Sequence, residues 1–177
     1  MDQQKKLLQK IRSVGVERNK KEGFEFYDVG GPQEFLEWAC VNEYVFHGSS
    51  RVIEGNLEPR EAIDDIKASG NRKAVYMTIN PILAMFTALA GGKDVGTRRN
   101  KVFLEITDQG VVRYPKPPEF AVGKPEEIAN EGYVYIFDKG SQVDEETNGE
   151  CLSYKPIKPL AIIRIKRVDF QFPIEKI

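Results

Sequence analysis

The chain is short of the side chains that metal and thiol chemistry require: it has one histidine, His47, and two cysteines, Cys40 and Cys151, in 177 residues. A structural zinc site wants about four such ligands at short spacings, so zinc is rejected. Two distant cysteines do not make a disulfide framework, and a reducing cytoplasm is the expected compartment. Long hydrophobic runs are also missing. No stretch approaches the roughly 20 apolar residues of a membrane span, and residues 1–6 lack the apolar segment of a secretory signal. No membrane partner is therefore expected. An excess of one charge is absent too: 26 lysines and arginines face 27 aspartates and glutamates, so net charge points to neither nucleic acid nor a lipid surface.

What is present suits one domain with a sizeable core. Residues 2–22 read as a basic amphipathic helix, with Leu7, Leu8, Ile11 and Val14 near helical spacing and lysines and arginines around them. A solvated helix packed by one face accounts for that pattern better than a nucleic-acid arm. After Gly30-Gly31-Pro32, residues 33–41 again look helical. From Tyr44 the texture changes to short β-branched and aromatic runs, giving strand candidates at 44–46, 74–78, 101–107, 110–114, 132–137, 151–154 and 160–167. One helix interrupts them at 81–90, opened by Asn80 as N-cap with proline at its first position and closed by Gly91-Gly92. The polar stretch 138–149 reads as a long exposed loop. Early helices followed by many strands without a βαβ rhythm predict an α+β fold with mostly antiparallel sheets. Residues 1–43 are expected as an N-terminal helical segment packed on a single compact unit, 44–177.

Three segments carry the candidate chemistry. His47-Gly48-Ser49 follows the strand-like Glu43-Tyr44-Val45-Phe46; Tyr76 lies in Val75-Tyr76-Met77-Thr78, just ahead of the 81–90 helix; Glu150 opens Cys151-Leu152-Ser153-Tyr154. Other chemistries fit less well. Cys40 falls on the apolar side of a helix and reads as structural rather than as a nucleophile paired with His47. Ser49 and Ser50 lack a G-x-S-x-G elbow, and Gly91-Gly92 with Gly96 does not make G-x-G-x-x-G. Glu131, before the 132–137 strand, is the nearest rival to Glu150.

His, Tyr and Glu in this order and in these contexts resemble the NAD-binding signature of the ADP-ribosyltransferases, in the branch that includes the poly(ADP-ribose) polymerase catalytic domain. The resemblance covers roughly residues 44–165 and implies split antiparallel β-sheets with flanking helices. It implies that His47 bonds the adenosine ribose, that the Gly48 backbone meets the nicotinamide carboxamide with Ser49 nearby, and that Tyr76 stacks on the nicotinamide ring. Glu150 would be the catalytic carboxylate on the 2′-hydroxyl of the nicotinamide ribose. Where polymerase-type members carry a serine and a second tyrosine this chain has Ala84 and Thr87, and Phe86 is expected to supply the second stacking face. Arg51 and Arg60 are the candidates for the pyrophosphate. Asn148, two residues before Glu150, leaves the acceptor type open.

The activity so implied is transfer of a single ADP-ribose from NAD to a protein or nucleic-acid acceptor in the cytoplasm, as in some bacterial toxins, with room for an antitoxin or inhibitor protein as a partner. The alternative is a module that binds NAD, ADP-ribose or a partner without turnover. A related tRNA 2′-phosphotransferase ranks low, because it uses further histidine and arginine contacts.

Overall fold

The computed structural model describes residues 2–21, 23–61 and 72–177. Helix α1 (Gln3–Ser13) begins at Asp2, whose carboxylate accepts from the Gln4 amide, and buries Leu7 and Ile11. It ends where Gly15 takes a φ of +72°, a conformation that costs glycine little. The chain then forms an antiparallel hairpin, β1 (Val16–Lys21) with β2 (Phe24–Val29). The helix expected over residues 2–22 is therefore cut short, and the N-terminal segment expected to be helical contains two strands. Glu17 to Lys21 look like the polar face of a basic helix in sequence, but they form an outer strand whose one neighbour among the described residues is β2.

Helix α2 (Pro32–Val41) leads to β3 (Tyr44–Ser49), so His47, Gly48 and Ser49 lie within the strand rather than after it. The short β4 (Arg60–Glu61) and β5 (Lys73–Thr78) follow. Helix α3 (Pro81–Ala90) has the expected bounds, because the Asn80 side chain accepts from the amides of Ile82 at 3.1 Å and Leu83 at 3.2 Å. Next come β6 (Arg98–Lys101), the two-residue strands β7 (Glu105–Ile106) and β8 (Val112–Arg113), β9 (Glu119–Val122) and β10 (Glu131–Asp138). The last elements are α4 (Lys139–Gln142), β11 (Glu145–Thr147), β12 (Glu150–Ser153), β13 (Ala161–Lys166) and β14 (Glu175–Lys176).

The result is a mixed α+β protein with open sheets. The main sheet runs β1-β2-β13-β10-β3-β5-β12-β11, with β4 also on β5; β14-β9-β6 and β7-β8 form two smaller sheets. Most pairings are antiparallel, β2–β13 and β9–β14 being parallel. Strand β10 reads as a continuous apolar run because both faces of the main sheet are covered. One face meets a core built from the helices, with Leu7, Phe35, Phe46, Met85, Ile136 and Ile163; the other holds Phe24, Phe26, Val45, Met77, Tyr135 and Cys151. Leu7, Ile11 and Val29 share the first core with residues beyond 43, so the N-terminal elements complete the same unit. Among the described residues no helix is long and apolar enough to cross a membrane.

Two local features set up the site. Strands β3 and β5 share a single residue pair, Phe46 with Thr78, and then part, so the main sheet is two half-sheets joined at one rung. Helix α3 lies directly on two glycines. A Cβ on Gly132 would stand 1.8 Å from the Ala88 carbonyl oxygen, and one on Gly48 would stand 2.3 Å from that of Ala84 and 2.6 Å from the Ala88 amide. The stretch expected as a long loop, 138–149, is instead the short α4 and a hairpin whose two-residue turn is Asn148-Gly149, with φ values of 52° and 82°. Asn-Gly is the preferred pair for such a turn.

Candidate functional site

Beyond the Phe46–Thr78 rung, an unbroken ladder would set Gly48 against Tyr76. The His47 imidazole fills the gap instead. Its Nδ1 lies 2.7 Å from the Tyr76 carbonyl oxygen, and since a carbonyl only accepts, Nδ1 carries the proton. Burial lowers the His47 pKa below its ordinary value, the Arg60 charge adds to that, and the bond to Tyr76 works the other way. The ring is neutral at pH 7, so Nε2 is an acceptor. Its cross-strand neighbour Tyr135 meets it edge-on at 6.2 Å between ring centres.

The Tyr76 hydroxyl donates to the Arg72 carbonyl oxygen at 2.6 Å, so the phenol is held at its tip while its backbone is held by His47. Its pKa is raised, first by burial and then by the Glu150 charge. Glu150 stands opposite Thr78 in the β12–β5 ladder, immediately after the Asn148-Gly149 turn. The Ile79 amide donates to the Gly149 carbonyl oxygen at 3.0 Å and ties that turn to the end of β5. The Glu150 carboxylate is exposed and, among the described residues, has no hydrogen-bond or ion-pair partner. Its rival Glu131 is committed elsewhere: with Asp28 it brackets Arg164, at 3.4 and 2.6 Å.

His47, Gly48, Tyr76 and Glu150 line one cleft of about 360 Å³, together with Thr78, Leu83, Thr87, Arg98 and Asn100. That size is within the range of small-molecule sites. Three strands from both sides of the rung thus deliver an acceptor nitrogen, an aromatic ring and a carboxylate to one place.

Other expected members are placed differently. Ser49 is not in the cleft lining; its Oγ donates to the Arg51 carbonyl oxygen at 2.8 Å and accepts from the Arg51 amide at 3.1 Å, closing a local turn. Arg51 is exposed and likewise outside the lining. Arg60 is exposed on β4 and reaches the site only through its field at His47. Phe86 borders the cleft but is 2% exposed, its ring 4.7 Å from that of Phe120, so it is a piece of wall rather than a second stacking face. Gly48 is explained first by the approach of α3. The cationic member of the lining is Arg98, with one Nη donating to the Ala90 carbonyl oxygen at 3.2 Å. Sequence reading missed Arg98 and Asn100, whose only signal was the basic cluster Arg98-Arg99-Asn100-Lys101.

The cysteines lie outside this chemistry. Burial pushes the Cys40 thiol up to about 11 and the Cys151 thiol up to about 12, which disables both as nucleophiles near neutrality. No family model matches the chain, nor does any curated protein or solved structure.

Proposed function

We propose that the cleft binds NAD and that the protein is a mono-ADP-ribosyltransferase with an ADP-ribosyltransferase-like split sheet. The observation that carries this reading is the meeting of His47, Tyr76 and Glu150 from three strands in one cleft, at the point where the sheet divides. Neutral His47 accepts from a hydroxyl of the adenosine ribose. The Tyr76 ring packs on the nicotinamide, and the backbone of Gly48, which has no β5 partner, meets its carboxamide. Arg98 suits the pyrophosphate better than Arg51 does.

In the reaction the bond from nicotinamide nitrogen to ribose C1′ breaks and its electron pair leaves on nicotinamide. The acceptor's lone pair forms the new bond to C1′, and the acceptor loses a proton. Glu150 bonds the 2′-hydroxyl and opposes the positive charge that builds on the ribose, as carboxylates do in glycoside cleavage. The compact Asn148-Gly149 turn before Glu150 gives no support for chain elongation, so transfer of a single ADP-ribose is the better reading.

Incubation with NAD labelled on nicotinamide tests the reading. Release is expected from the native chain, and Glu150→Gln should cut it by ~100-fold or more. Its melting temperature should stay unchanged, since the side chain is exposed. No release from the native chain, with or without cell extract, sinks the enzyme. The second reading, a module binding NAD or ADP-ribose without turnover, draws on Phe86, which is buried against Phe120 and so does not offer its ring as a second stacking face. Measurable NAD affinity without release would select it.

A further inference from the structure

The cleft does not end at Glu150. Arg98 and Asn100 border it on one side, and the chain just after β6, with Val102, Phe103 and Leu104, borders a second hollow of about 370 Å³. The two share Met77, Thr78, Leu83 and Glu150, so the carboxylate stands where one opens into the other. The second hollow mixes apolar side chains with polar ones, Ile79 beside Asn80 and Asn148 at its border. Phe103 is 43% exposed there, and the Lys116 ammonium sits 4.9 Å from its ring centre. Arg98, Arg99 and Lys101 border a further hollow of about 730 Å³ along β6. Among the described residues none of these three, nor Lys116, has a carboxylate within ion-pair distance, although Glu119 stands opposite Lys101 in the ladder and Glu175 borders the same hollow.

We propose that the second hollow is the acceptor subsite and that the acceptor is a base of a single-stranded nucleic acid. This rests on the reading of the first cleft as the NAD site. An exposed phenyl ring in a hollow that also has side-chain amides at its border matches a base, and Arg99 and Lys101 on the adjoining strand, with Arg98 left to the pyrophosphate, match backbone phosphates. A peptide acceptor would use the hollow but leave Arg99 and Lys101 without a role. The base must be unpaired, because one stacked in a duplex cannot enter a hollow. A ring nitrogen or exocyclic group of the base attacks C1′ while the bond to nicotinamide breaks, and the proton lost from the base passes to Glu150 and then to water. The products are the ADP-ribosylated base, nicotinamide and a proton.

Fluorescence anisotropy of labelled single-stranded RNA and DNA of about 12 nucleotides, without NAD, tests the surface. Binding that weakens with salt is expected; Phe103→Ala should loosen it ~10-fold, while Phe103→Trp retains it. Arg99→Ala with Lys101→Ala should flatten the salt dependence. Absent binding, or binding indifferent to Phe103→Ala with the melting temperature unchanged, overturns the inference. So does label from adenine-labelled NAD that appears only in protease-sensitive, nuclease-resistant product. The two readings separate cleanly: nicotinamide release without Phe103-dependent binding defeats the acceptor assignment alone, whereas Phe103-dependent binding without release defeats the transferase on which it stands.

Discussion

The two half-sheets that meet at Phe46 and Thr78 are built to different standards. On one side, β10 is paired over six residues with β13 and over six with β3, is buried on both faces, and carries α3 on bare glycine backbone. On the other, β5, β12 and β11 are joined by four and three residue pairs and end in an exposed two-residue turn. The first half holds His47 and Gly48, and the second holds Tyr76 and Glu150. A cleft forms because the halves share one rung. The stiff half fixes the position of the cleft's walls, and the lighter half presents the carboxylate to solvent.

Substitutions that act on one half at a time should expose this contrast. The largest loss is expected on the stiff side. Gly132→Ala forces a methyl into the Ala88 carbonyl, where neither backbone can yield, and should cost about 3 kcal/mol or more, lowering the melting temperature by ~10 °C. A change under 2 °C would mean that α3 is not seated as described. On the light side, Gly149→Ala places a side chain at a φ of 82° and within 3.2 Å of Ile79 Cγ1. Its cost should be ~1–2 kcal/mol, with nicotinamide release falling more steeply than stability, because Glu150 is the next residue.

The smallest effect concerns His47, the residue next to the rung. His47 has a folded pKa below 6.5, so below that value the unfolded chain binds a proton that the folded chain refuses. Stability therefore falls as pH drops from 6.5 toward the lowered folded value and levels off beneath it. The slope cannot exceed ~1.4 kcal/mol per pH unit for one group. Denaturant midpoints across that window should show this slope in the native chain and lose its His47 share in His47→Gln; identical profiles would place the imidazole in solvent.

Much of the stiff half was legible in the chain. Gly132 to Phe137 is a continuous apolar strand signal, and Asn80-Pro81 fixes the start of α3 by capping and by a proline that has no amide to lose. The polar hairpin strand β1 was not legible, because Glu17 to Lys21 look the same on a helix face as on a sheet edge, and the difference lies in the backbone of Gly15. The Asn148-Gly149 turn did have a sequence signal, hidden within a run of charged residues that reads as loop. His47, Gly48, Tyr76 and Glu150 could be named in advance through the residue pattern, and they meet. Arg98 and Asn100 could not, since every residue of β6 is exposed and it reaches the cleft only through a separate small sheet. Ser49 and Phe86 have other engagements, a local turn and an aromatic core, and neither is visible in the residue pattern.

Whether NAD occupies the cleft can be read from a crystal structure of Glu150→Gln with NAD. Nicotinamide is expected against Tyr76, its carboxamide on the Gly48 backbone, and the adjoining ribose hydroxyl within hydrogen-bond distance of the residue at 150. NAD seated anywhere else, or the cleft empty in crystals grown with NAD in excess, would contradict the reading of the cleft as the NAD site.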